Sequence, residues 1–155
     1  MISSTKELIS IVRTDVERIY SERRGFGTFL RVAANPSIRA VFLIRITLLE
    51  NVFLHSFARN ALLSFFGIDV GKGAVIGPGL YLPHPLCIVI GEGTRMGANI
   101  TLYHGTTLGR LKNNYPTIGD RTTLYPNVTV IGDVHIPANT RVPPGTILRP
   151  DESNS

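Results

Sequence analysis

His84 stands between Pro83 and Pro85 in the stretch YLPHPLCIVIG, and His104 follows in the stretch TLYHGTTLG. Imidazole is the side chain whose ordinary pKa lies nearest working pH, so either ring could serve as a general base. Cys87 lies close to His84, and a Cys–His nucleophile is one chemistry open to that pair. Its neighbours Leu86 and Ile88 favour a plainer reading, a small inert hydrophobe. A zinc centre would need three convergent ligands, two of them usually close in sequence; only His84 and His104 converge, and no H-x4-H occurs. His55 and His135 have no partner in this pattern. Arg110 and Lys112 carry charge suited to phosphate groups, or to a solvated loop.

The elements that must hold these residues show themselves by a period of six. Val70, Ile76 and Leu82 form one run; Ile90, Met96, Leu102 and Leu108 a second; Ile118, Leu124, Val130, Ile136, Val142 and Leu148 a third. Glycine often follows the aliphatic, as at Gly71, Gly77, Gly91, Gly97, Gly109 and Gly119. A small, β-branched or aliphatic residue comes four places after it, as at Ala74, Thr94, Ile100, Thr106, Thr122 and Val128. This is the hexapeptide repeat of a parallel β-helix. Each hexad supplies one short strand and one turn, and three hexads close a triangular coil of about 18 residues. The aliphatic points inward and stacks on its counterpart roughly 4.8 Å away, and glycine is expected to let the chain turn at the corner. β-Helices of this repeat are left-handed, against the usual right-handed crossover.

The register slips twice. Two extra residues fall within Pro83–Val89 and four within Gly109–Thr117. Breaks in a solenoid become loops, and loops carry sites. Three hexads on from Leu82 comes Leu102, so His84 and His104 should lie at one corner on neighbouring coils. The same arithmetic stacks Tyr103 on Tyr125, either lining a groove or shielding a subunit contact.

Before Gly67 the period is helical. Leu8, Ile11, Val12, Val16, Ile19 and Tyr20 form one apolar face. Asn35-Pro36 reads as an N-cap followed by proline in the first turn, and a further helix is expected from about Leu54 to Phe66, ending at Gly67. The expected organisation is a helical region over 1–66, a β-helix over 67–150 and a disordered tail over 151–155. Such a solenoid needs capped ends, and the helices are an obvious cap for one.

The chain has 155 residues and a formal charge of +5, with nine Lys/Arg against five Asp/Glu up to Phe66 and seven against six after it. That bias leaves contact with a membrane surface open, a solvated helix face being the plainer reading; nucleic acid is not the expected partner. One cysteine excludes an internal disulfide framework and suits the cytoplasm. The start does not look like a signal peptide. The apolar stretch 39–66 is broken by Arg45, Glu50 and Arg59, too often for a spanning helix.

GIDVGKGAVIGPGLYLPHPLCIVIGEG, NITLYHGTTLG and YPTIGDRTTLYPNVTVIGDVHI together resemble the serine acetyltransferase family and its relatives that acetylate bacterial surface sugars. The segment NPSIRAVFLIRI also resembles that family's N-terminal region, shortened. The resemblance implies acetyl-CoA as co-substrate and a homotrimer with each site between two subunits; no metal is expected, because two histidines are too few for a closed zinc site and a thioester is already activated. It makes His84 the general base that deprotonates the acceptor hydroxyl as it attacks the thioester. It makes Asp69, fifteen residues earlier, the carboxylate that orients that ring. His104 would face the acceptor, and Gly109, Arg110 and Lys112 would lie beside CoA.

The chain also departs from the family. Pro83 stands where an Asp usually precedes the histidine, and Asn114-Tyr115 stands where Arg-His faces the amino-acid acceptor. Arg110-Leu111-Lys112-Asn113 replaces a glycine-rich stretch. Free serine needs partners for both of its charges, and an unpaired charge in a closed pocket costs several kcal/mol. Tyr115 instead offers a ring and a hydroxyl suited to a sugar. The expectation is therefore O-acetylation of a saccharide hydroxyl, with serine as the runner-up acceptor and a non-catalytic partner subunit of the same fold as the rival.

Overall fold

The computed structural model describes residues 5–23 and 34–150. The tail at 151–155 lies outside them. Three helices lie first among the described residues: α1 (Thr5–Arg23), α2 (Pro36–Thr47) and α3 (Val52–Phe66). Asn35 caps α2 by accepting from the Ser37 amide at 2.9 Å, with Pro36 in the first turn. The third helix starts earlier than its apolar pattern suggests because Asn51 caps it, accepting from the Leu54 amide at 3.1 Å. It ends at Gly67, whose φ of 63° is left-handed and open to glycine at no steric cost. No described helix is long and apolar enough to cross a membrane.

Twelve short strands follow, β1 to β12, from Asp69–Val70 to Ile147–Leu148. They wind as a left-handed parallel β-helix of about four coils, with three faces. The first face stacks β1 (Asp69–Val70), β3 (Val89–Ile90), β6 (Thr107–Gly109), β9 (Thr129–Ile131) and β12 (Ile147–Leu148). The second stacks β2 (Val75–Ile76), β4 (Arg95–Met96), β7 (Thr117–Ile118) and β10 (His135–Ile136). The third stacks β5 (Thr101–Leu102), β8 (Thr123–Leu124) and β11 (Arg141–Val142), and Tyr81 bridges to Thr101 at its start.

Every inward aliphatic pairs with an inward aliphatic. Val70, Ile90, Leu108, Val130 and Leu148 form one column. Ile76, Met96, Ile118 and Ile136 form another. The third face gives Leu102, Leu124 and Val142. All but Leu148 are buried. The partners also locate the insertions. Ile118 pairs with Ile136 at the plain coil length, Ile76 pairs with Met96 two residues longer, and Leu102 pairs with Leu124 four residues longer.

The glycines correct one expectation. Gly71 and Gly77 do not turn the corner: neither has a left-handed φ. They allow close approach of the next coil, since a Cβ on Gly71 would lie 2.3 Å from the Glu92 amide nitrogen. The left-handed residue comes three places after the aliphatic: Gly73, Gly79, Gly93, Asn99, Gly105 and Asn127 all have positive φ. Asparagine tolerates that region better than other non-glycine residues, which explains its share of the corners.

The helices satisfy the open edge of the first coil. The amides of Val75 and Gly77 donate to the second coil, at Thr94 O and Met96 O, so the Ile76 carbonyl points the other way. Arg45 donates to Ile76 O and Gly77 O, both at 2.7 Å. Asp15 accepts from the amides of Gly79 at 2.7 Å and Leu80 at 2.9 Å. Ser37 donates to Leu82 O at 2.6 Å. Asp15 and Arg45 pair with each other through two contacts, 2.8 and 3.0 Å, with 1% and 0% of their side chains exposed. An unpaired strand edge is thus capped by polar side chains, and Ile19, Val41 and Ile44 are buried in the same hydrophobic core.

Candidate active site

The first insertion shapes the corner between the third and first faces. The Leu86 amide donates to His84 O at 2.8 Å, a tight turn, and Leu86 O accepts from the Gly105 amide at 3.1 Å. His104 O in turn accepts from the Asn127 amide at 3.0 Å. Both histidines therefore sit on anchored backbone. Their ring centroids are 5.8 Å apart at 73°, edge to face, as the coil arithmetic requires. Tyr103 lies 6.3 Å from His84, and Tyr103 and Tyr125 stack at 5.3 Å. The His84 side chain is exposed, whereas Nδ1 of His104 is buried with no hydrogen-bond partner. Pro83 is half-buried next to the exposed His84.

Asp69 is not brought to His84 in the single chain. Its two carboxylate oxygens accept from Arg59 at 2.7 and 3.0 Å, a bidentate pair across α3 and β1. That hydrogen bonding, and then the carboxylate's charge, raise the Arg59 pKa above its usual value. Sequence reasoning missed Arg59. Its place about two turns before the Gly67 stop, on the helix that leads into β1, was the available signal. Cys87, read from its neighbours as a small inert hydrophobe, is exposed, with a φ of 53°, and its amide donates to Phe66 O. It makes no hydrogen bond to His84, so no Cys–His dyad forms.

The second insertion lies elsewhere. Gly109 ends β6 on the first face and Thr117 begins β7 on the second, so the loop between them occupies a different corner from His84. Leu111 and Asn114 exchange backbone hydrogen bonds at 3.1 and 3.0 Å around Lys112, whose φ is 55°. Arg110, Lys112 and Asn114 are exposed. Tyr115 lies over the Gly93 backbone, where a Cβ would come within 2.8 Å of its ring. The single chain thus separates His84 and His104 from Asn114, Tyr115, Gly109, Arg110 and Lys112. The two corners bound the same five-stranded face.

No group of three or more His, Cys, Asp or Glu side chains among the described residues could hold a metal ion. A thioester is already an activated acyl donor and asks for no Lewis acid. Under the acetyl-transfer expectation drawn from the sequence, prolonged chelation should leave thiol release from acetyl-CoA unchanged. A large loss restored by zinc would overturn that expectation.

The prism of stacked hexads is the hexapeptide-repeat acyltransferase fold, and serine acetyltransferases are among the chain's homologues. No family model matches the chain. It is 35% identical over 89 residues to the serine acetyltransferase of Helicobacter pylori, a match covering 55% of this chain and 52% of that one. It is 36% identical over 80 residues to that of Mycobacterium tuberculosis, covering 49% of this chain and 35% of that one. The chain thus spans about half, or less, of the curated relatives it matches. Among solved structures, Neisseria gonorrhoeae serine acetyltransferase in complex with serine superposes with a TM-score of 0.77 at 27% identity, covering 96% of this chain and 64% of that one. A serine acetyltransferase complex with CoA gives a TM-score of 0.80 at 19% identity, covering 92% of this chain and 63% of that one, a likeness of fold.

Proposed function

We propose that the chain is an acetyl-CoA-dependent O-acetyltransferase in which His84 deprotonates the acceptor hydroxyl. The observation that carries this is the exposed His84 ring, held edge to face with His104 where the repeat breaks. The hydroxyl oxygen attacks the thioester carbonyl, His84 takes its proton, and the proton passes to the departing CoA thiolate. No enzyme nucleophile is needed. Asp69 is the orienting carboxylate of this reading, and it must exchange Arg59 for His84 to act. Acetyl-CoA is the donor, consistent with the CoA complex of the structural relative.

Serine is the acceptor that the relatives support, in place of the saccharide that the sequence alone suggests. The saccharide hydroxyl remains as the second reading because Pro83, Asn114 and Tyr115 supply no charge for an amino acid. Because the two corners bound one face, three copies around an axis would set the His84 corner of one against the Asn114 loop of the next. A homotrimer is therefore part of this proposal.

Thiol release from acetyl-CoA tests it, with serine, simple sugars and polysaccharides as acceptors. Release with serine at a Michaelis constant of about 1 mM or below supports the serine reading. Release with saccharides alone moves the assignment to the second reading. Release with none of them leaves the partner-subunit rival standing and overturns both.

A further inference from the structure

The third face of the β-helix carries a groove of about 470 Å³ that the acetyl-transfer chemistry does not use. That size falls within the roughly 300–1,000 Å³ of small-molecule sites. Its lining includes Arg18, Arg121, Arg141, Tyr81, Tyr103 and Tyr125, with no Asp or Glu among the described residues that line it. Arg141 is the outward residue of β11, in register with Thr123 of β8. Arg121 is steadied by Asn139, its Nε donating to Oδ1 at 2.7 Å. Arg18 reaches across from α1 and donates to the carbonyls of Gly79 and Ile100 and to Thr101 Oγ1. The exposed guanidinium groups of Arg121 and Arg141 both line the groove and give it a positive charge that an anion would complement. Arginine is the side chain best shaped for planar or tetrahedral oxyanions.

The tyrosines say what else the ligand carries. Tyr103 and Tyr125 cover each other's faces at 5.3 Å and 23°, so what they offer a ligand is ring edges and hydroxyls. That wall suits a molecule rich in hydroxyl groups. Tyr103 also lies 6.3 Å from His84, ring centroid to ring centroid, so one wall residue of the groove neighbours that histidine.

We propose that this groove binds an anionic sugar, its carboxylate or phosphate held by Arg121 and Arg141 and its hydroxyls against the tyrosine wall. Use of the groove as an acceptor seat rests on the acetyl-transfer reading above; the binding itself does not.

The chain has five tyrosines and no tryptophan, so tyrosine emission reports largely on the three that line the groove. The full chain is titrated with trigalacturonate, glucose 6-phosphate, maltotriose and inorganic phosphate. At least one of the two anionic sugars should change the emission saturably, at least tenfold more tightly than maltotriose or phosphate, and less tightly as salt rises. Whichever is tighter distinguishes carboxylate from phosphate. Arg121→Gln with Arg141→Gln should weaken binding at least tenfold with the melting temperature unchanged, because both side chains are exposed. His84→Ala should bind as the parent does; in the parent protein, absent acetyl transfer with intact sugar binding would count against the catalytic reading alone. Equal binding of maltotriose, equal binding of phosphate, no response to either anionic sugar, or full binding by the double variant would each overturn the proposal.

Discussion

Replacing His84 with alanine is expected to lower turnover by at least about 10²-fold, the usual contribution of a positioned base, while acetyl-CoA binding stays within a few-fold. The side chain is exposed and its contacts are two ring edges, so its removal opens no cavity in the core. The loss should therefore fall on kcat and leave the acetyl-CoA dissociation constant in place. Thiol release measures the first and calorimetry the second. Asp69→Asn should cost less, because it acts through the ring. Full turnover by His84→Ala would remove the base assignment. A larger loss from His104→Ala would transfer the role to the ring whose Nδ1 is buried without a partner.

The solenoid was legible because one inward aliphatic per hexad is a strict physical demand. A strand of two residues turns only one side chain into the coil, and the next coil repeats the demand in the same place. Hence both insertions, the His84–His104 contact and the Tyr103–Tyr125 stack followed from counting alone. What the count could not show is where side chains leave the pattern. Cys87 reads as apolar by its neighbours, yet the insertion puts it in a left-handed corner facing solvent. Asp69 reads as free to orient His84, yet α3 returns along the first strand and presents Arg59. The Arg–Tyr groove needs two distant segments, α1 and the third face, and periodicity within either is silent about the other. Arg45 interrupts an apolar stretch and so looks like a solvated charge. Its place among Val41, Ile44 and Leu48 on one helix face was the signal that it points inward, as was that of Asp15 between Ile11 and Ile19.

That buried pair leads to the largest expected effect on stability. Asp15→Ala should destabilise the fold by about 3–5 kcal/mol, since it leaves the Arg45 charge unpaired inside the protein. In a chain of this size that is roughly a 10 °C fall in the unfolding midpoint. Many buried ion pairs can be replaced by apolar residues at little cost. This one is expected to behave differently, because neither partner serves only the other. Asp15 also accepts from the amides of Gly79 and Leu80, and Arg45 also donates to the carbonyls of Ile76 and Gly77. Those four backbone groups belong to the open edge of the first coil and have no further coil to bond to. The double change Asp15→Leu with Arg45→Met removes the charges together but orphans the same groups, each at about 1–3 kcal/mol if water stays out. The double variant should therefore remain clearly less stable than the parent in thermal or urea unfolding. Parent-like stability would mean that the pair is a self-contained insertion and that the helices hold the β-helix by apolar packing alone.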